Sequence, residues 1–118
     1  MNHRAFGNEG EQAACDFLAK RGWQILDRNV HRGRGEIDII ARRRGVIAFI
    51  EVKRRSSLDF GSPAEAVNTE KQRRILSAAT IYLQEKGLSE SNIRFDVIEI
   101  LENRIHHIEA AFDATDFF

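Results

Sequence analysis

The chain has 118 residues and 42% apolar content, which excludes a disordered polymer and suits one domain, residues 1–118, burying roughly 65% of its unfolded surface. No apolar run approaches the roughly 20 residues needed to cross a bilayer, and the lone cysteine, Cys15, excludes an internal disulfide. The formal net charge is zero, so bulk charge singles out no polyanionic partner; with no apolar signal-peptide core in residues 1–10, a soluble cytoplasmic protein without a membrane partner is expected.

Asn8 to Arg21 predicts the first helix. Glu11, Ala14, Cys15 and Leu18 recur at i, i+3, i+4 and i+7 and share one face, and Gly22 is a stop signal. Trp23 to Val30 predicts a strand near a sheet edge, because Asp27 and Arg28 interrupt its apolar pattern. His31-Arg32-Gly33-Arg34-Gly35 reads as a loop. Glu36 to Arg42 and Val46 to Arg54 are β-branched runs with apolar residues on both faces, the pattern of central strands covered on each side. The turn between them falls in Arg42 to Gly45.

Ser62-Pro63-Ala64-Glu65 carries the cues of a helix start, and Thr69-Glu70-Lys71-Gln72 repeats the capping-box pattern, a place for the helix to restart. Ile75, Ala78, Ala79 and Tyr82 form an apolar stripe that Gly87 ends. A strand from Ile93 to Leu101, a turn at Glu102-Asn103-Arg104 and a last strand near Ile105 to Ile108 complete the order α-β-β-β-α-β-β. A crossover from Val46 to Leu101 makes those two strands parallel, so the fold class is α/β with a mixed sheet.

Charge is unevenly spread. Arginines and Lys53 crowd Arg28 to Arg55 against Glu36, Asp38 and Glu51, while the tail from Leu88 is acidic. Such a basic region is either a solvated surface or a phosphate-binding face. If the latter, its candidates for holding a nucleic-acid backbone are Arg34, Arg42, Arg43, Arg44, Arg54 and Arg55, with Lys71 from the following helix.

The chemistry concentrates on the central hairpin. Glu51 and Lys53 share a strand face, and a loop of two or four residues sets Asp38 opposite Glu51 and Glu36 opposite Lys53. Two facing carboxylates beside Ile40, Ile47 and Phe49 repel and need a cation or a shared proton. Mg²⁺ meets that need through carboxylate oxygen and water. Glu11, on a core-facing helical stripe, either reaches the same cation or sits at the solvent end of its helix. The plainer alternative for Asp38, Glu51 and Lys53 is a charged hairpin end with a lysine salt bridge. His106-His107 point to opposite strand faces and do not chelate jointly, Cys15 reads as a small buried hydrophobe, and Arg94 with Asp96 reads as an internal ion pair.

The segments Gly35-Glu36-Ile37-Asp38-Ile39-Ile40-Ala41 and Ala48-Phe49-Ile50-Glu51-Val52-Lys53-Arg54-Arg55 resemble the signature of the YraN/UPF0102 family of bacterial proteins. Gly7-x-x-Gly10-Glu11, Gly22-Trp23, Arg28-Asn29, Phe60-Gly61, Lys71, Arg94-Phe95-Asp96 and Ala111-Phe112 are similar to its other landmarks, in order along nearly the whole chain. The resemblance implies the PD-(D/E)xK nuclease superfamily, akin to archaeal Holliday-junction resolvases, and a restriction-endonuclease-like sheet flanked by helices. It implies Asp38, Glu51 and Lys53 as the catalytic triad and Glu11 as the helix carboxylate. Mg²⁺ or Mn²⁺ would lie on Asp38 and Glu51, with Glu11 acting through a water and a main-chain carbonyl near Val52. Ile37 stands where the superfamily motif has proline, and the arginine-rich turn departs from the acidic or small polar residues of relatives. The expected activity is endonucleolytic, on DNA rather than RNA and including branched DNA, with a homodimer left open. The alternative is a non-catalytic nucleic-acid-binding module on the same fold.

Overall fold

A computed structural model describes residues 3–55 and 67–113, with side chains from residue 9 onward. The described elements run α1 (His3–Lys20), β1 (Gln24–Arg32), β2 (Gly35–Arg43), β3 (Val46–Arg55), α2 (Thr69–Lys86), β4 (Asn92–Leu101) and β5 (Arg104–Phe112). The strands form one sheet in the order β1-β2-β3-β4-β5. Neighbours are antiparallel except β3 and β4, which are parallel across the crossover that carries α2. This is the expected mixed α/β architecture, and it is consistent with a restriction-endonuclease-like fold. The helix start read at Ser62–Glu65 and the Phe60-Gly61 landmark lie outside the described residues.

The sheet has an apolar cluster on each face. Ala14, Cys15 and Leu18 of α1 pack with Trp23, Ile39, Ala41, Ala48, Ile50, Ile98 and Ile100. Ile75, Ala78, Ala79, Tyr82 and Leu83 of α2 pack with Val30, Ile37, Ile40, Ile47, Phe49, Phe95 and Val97. Each large aliphatic or aromatic side chain fully removed from water contributes roughly 1.5–3 kcal/mol. That is why the unbroken apolar runs of β2 and β3 occupy the middle of the sheet.

The helix ends follow local chemistry. α1 begins five residues earlier than its apolar stripe suggests. Gly7 and Gly10 weaken a helix without stopping it, and Gly10 has a packing role: a Cβ there would lie 3.1 Å from Arg54 Cδ. The described cap of α2 is Asn68, whose side chain accepts from the Lys71 N–H at 2.9 Å, so Thr69 is already helical. At the other end Gly87 takes the left-handed conformation, φ 68°, and its N–H bonds back to the last turn.

Two turns are tighter than expected. The stretch read as a loop, residues 31–35, is a two-residue turn at Gly33-Arg34, with His31 and Arg32 still paired to Glu36 and Gly35. β1 is an edge strand, so its polar end residues keep one side in water and need no loop. Between β2 and β3 the turn is Arg44-Gly45, with φ of 52° and 77°, the left-handed pair that suits a two-residue hairpin. β5 continues past the expected Ile108 to Phe112, where the Phe112 ring stacks on Phe95 with centroids 5.1 Å apart.

Candidate active site

The two-residue turn holds β2 and β3 in the expected register from Arg43↔Val46 to Ile39↔Ile50. Pairing then stops, one step short of Asp38 and Glu51. Beyond this point β2 stays with β1 as far as Gly35, while β3 stays with β4 as far as Arg55. The two strands therefore fork at the two carboxylates. Glu36 does not face Lys53 as expected; it is exposed and lies 3.5 Å from His31 of β1. Across from Asp38 in β1, Asn29, between the pairs Arg28↔Ile39 and Val30↔Ile37, has φ 52°; the register shift of this ladder lies further along, between Ile25 and Asp27. Alternation slips here too: Ile37 and Ile40, three residues apart, both pack under α2.

Asp38 fills the fork. Its Oδ2 accepts the Val52 N–H at 2.8 Å, taking a main-chain donor of β3. Burial, and next the charge of Glu51, push the Asp38 carboxyl up from its ordinary value of 3.8 to about 7; Glu11 and Glu36 add smaller contributions, and the Val52 N–H opposes them. Glu51 is buried, with 9% of its side chain exposed, and its Oε1 is paired with the Lys71 ammonium. Sequence spacing pointed to Lys53 as the lysine within reach of a carboxylate. Lys53 is half-buried, two residues beyond Glu51 on the same strand face, and among the described residues it has no hydrogen-bond or ion-pair partner.

Lys71 reaches Glu51 because α2 lies directly on the start of β2. A Cβ on Gly35 would fall 2.0 Å from the Arg74 carbonyl oxygen and 2.8 Å from Ala78 Cβ, so only glycine admits the helix backbone at this distance. One turn earlier the Asn68 cap fixes the Lys71 backbone.

Glu11 is buried at 8% exposure, as its place on the stripe requires, yet it arrives from the α1 layer. Its Oε2 accepts from Asn29 Nδ2 at 2.8 Å and lies 3.7 Å from an Arg28 nitrogen. It is close enough to influence Asp38 but is held by β1. Among the described residues no three His, Cys, Asp or Glu side chains converge into a ready-made ligand set. Asp38 and Glu51 thus meet at the fork, and Glu11 stands behind them. The structural signal for its anchor is Asn29, a non-glycine residue at positive φ inside a strand.

Residues 10–100 match the uncharacterised protein family UPF0102. The chain is 44% identical over 114 residues to a UPF0102 protein of Clostridioides difficile (strain 630), covering 95% of this chain and all of the relative. It is 48% identical over 101 residues to a UPF0102 protein of Dictyoglomus thermophilum, covering 86% of each. The chain belongs to UPF0102. The matched span runs from Gly10 to Ile100 and takes in Glu11, Asn29, Gly35, Asp38, Glu51, Lys53 and Lys71.

The cations named from sequence divide into groups within this UPF0102 chain. Arg34 lies at the fork end, lining with Glu36, Asn68, Glu70, Lys71 and Arg74 a groove of about 400 Å³ beside the carboxylates. Arg42, Arg43 and Arg44 lie at the other end of the hairpin, about 13 to 20 Å from Asp38 along β2 at ~3.3 Å per residue. Arg43 covers the Trp23 ring at 4.6 Å and donates to the Arg21 carbonyl at 3.1 Å. Arg44 is exposed at the turn. Arg54 passes over Gly10, and Arg55 pairs with Glu99 at 3.3 Å.

The expected Arg94–Asp96 pair is present and is larger than a pair. Asp96 is fully buried; both its oxygens accept from Arg94 at 2.9 Å, His107 Nε2 lies 2.7 Å from Oδ2, and the Ala110 N–H reaches Oδ1 at 2.9 Å. Burial alone would raise this carboxyl, but the bonds from His107, Arg94 and Ala110 outweigh it and hold the pKa below the usual range. His107 is therefore committed to Asp96, and His106 is exposed. Cys15 is buried and free, and burial raises its thiol pKa.

Proposed function

We propose that this protein is a metal-dependent endonuclease that cleaves nucleic-acid phosphodiester bonds, with DNA, including branched DNA, as its substrate class. The observation that carries the reading is the fork, where the half-buried Asp38 meets the buried Glu51, with Lys53 two residues further along β3 and without a hydrogen-bond or ion-pair partner among the described residues. An ordinary hairpin avoids two carboxylates this close and this desolvated. Without metal Asp38 answers the conflict by holding its proton up to about pH 7 and Glu51 by pairing with Lys71, and a divalent cation would relieve both.

The residues fit Mg²⁺ or Mn²⁺. Both donors are hard carboxylate oxygens, and a cation would let Asp38 ionise beside Glu51, which one Lys71 charge alone does not do. Asp38 and Glu51 would hold the ion, which would supply Lewis acidity toward a phosphoryl oxygen and a water of lowered pKa. The rest of the chemistry falls to the chain. Lys53 places a charge where negative charge builds on the phosphate. Arg34 and the first turn of α2 steer the nucleic-acid backbone along the adjoining groove. The Val52 N–H fixes one Asp38 oxygen and so orients the carboxylate.

One observation favours the second reading, a non-catalytic binding module. Lys71 already neutralises Glu51, and no three-ligand set exists among the described residues. A cleavage panel separates the two readings: supercoiled plasmid, linear duplex, flap, four-way DNA and RNA, each with Mg²⁺ or Mn²⁺, with Asp38→Asn as control. Metal-dependent nicking by the wild type and not by Asp38→Asn supports the enzyme. Salt-sensitive binding without cleavage of any substrate supports the module.

A further inference from the structure

The Lys71–Glu51 contact does more than neutralise charge. Glu51 is almost wholly buried, whereas 38% of the Lys71 side chain is exposed, so the ion pair sits at the mouth of the fork with its cation on the solvent side. The Lys71 backbone is fixed by the Asn68 cap and by the seating of α2 on Gly35. Its side chain is the mobile part: a flexible four-carbon stem carrying a point charge. Next to it open Arg34, Glu36, Asn68, Glu70 and Arg74, which line the same groove. The ammonium can therefore leave Glu51 without moving the helix, and the groove gives it a place to go.

We propose that Lys71 is a displaceable counter-ion, which occupies Glu51 in the empty site, competes with a divalent cation for that carboxylate, and turns to a nucleic-acid phosphate when displaced. The inference rests on the nuclease reading above and adds a regulation to it. A divalent cation arriving alone leaves Lys71 only exposed carboxylates in exchange for the buried Glu51: Glu36, which lies near His31, and Glu70, which is paired with Arg74. A nucleic-acid phosphate in the groove supplies a stronger anion. Cation and nucleic acid should therefore bind with positive coupling, and by linkage each should raise the affinity of the other by the same factor. Protein carrying metal but no substrate would be disfavoured, which limits indiscriminate activation.

The test uses the full chain and measures Mn²⁺ affinity by titration calorimetry, with and without a short uncleavable phosphorothioate duplex. Wild type, Lys71→Met, Lys71→Arg and Asp38→Asn are compared. Lys71→Met keeps the stem and removes the charge. Without the duplex it should bind Mn²⁺ roughly two- to fivefold more tightly than wild type, the scale of losing one half-exposed ion pair. The duplex should strengthen Mn²⁺ binding to wild type and leave Lys71→Met almost unchanged. Lys71→Arg retains the charge and should stay close to wild type, which separates charge from packing. If Lys71→Met binds Mn²⁺ no more tightly than wild type, or if the duplex strengthens both equally, the counter-ion role is overturned while a metal site lost in Asp38→Asn still stands. If neither wild type nor Lys71→Met binds Mn²⁺, the nuclease reading falls and this inference falls with it.

Discussion

Replacing Asp38 by Asn should make the metal-free protein more stable at neutral and alkaline pH. The Asn side chain keeps an oxygen for the Val52 N–H and removes the charge that burial and Glu51 oppose. In the wild type the folded-state pKa is about 7 against an ordinary value of 3.8. A carboxyl held above its unfolded value binds its proton more tightly in the folded state. Its contribution to stability is complete below about pH 4 and is lost as pH rises through about 7. At 1.36 kcal/mol per pH unit the full loss is on the order of 4 kcal/mol, or ~10 °C or more in melting temperature for a domain of this size. The assay is urea denaturation in EDTA from pH 4 to 8.5. The difference between variant and wild type should be small near pH 4, grow between about pH 4 and 7, and level off above pH 8. A constant difference across the range, or a variant less stable than wild type at pH 8, would refute the reasoning that ionised Asp38 is electrostatically opposed.

Three further outcomes are expected. Lys53→Ala should retain metal and DNA affinity while single-turnover cleavage falls roughly 100–1,000-fold; full retention of cleavage would remove Lys53 from the chemistry. Arg34→Ala should lower the log–log salt dependence of duplex binding by about 0.9, the loss of one phosphate contact, whereas an unchanged slope would place the backbone elsewhere, with the Arg42–Arg44 turn the next surface to test. Gly35→Ala should destabilise the fold by about 3 kcal/mol, because its Cβ would lie 2.0 Å from the Arg74 carbonyl oxygen; an unchanged urea midpoint would contradict the described seating of α2.

What could be read from the sequence was what local pattern controls. The apolar stripe of Ala14, Cys15 and Leu18, the double-sided runs of β2 and β3, and Gly87 as a stop are set by periodicity and backbone freedom, and each appears where the pattern put it. The proximity of Asp38 and Glu51 was legible for the same reason, since a hairpin register follows from its turn. Ladder geometry beyond the turn was not. The fork depends on β2 and β3 taking different neighbours. Lys71 was named for a phosphate contact, yet its reach to Glu51 follows from where a helix lands on a sheet, through Gly35. The arginine-rich turn looked continuous with the site in sequence, but one hairpin length separates them. Arg43 spends its charge and its planar face on Trp23, Arg21 and Glu109.

The central claim is that Asp38 and Glu51 form a divalent-cation site. A crystal soaked in Mn²⁺, with diffraction recorded near the manganese absorption edge, tests it most directly. The expected map has an anomalous peak bonded to carboxylate oxygens of both residues, with Lys71 drawn off Glu51. A clear map without that peak, or with manganese bound only elsewhere, would contradict it.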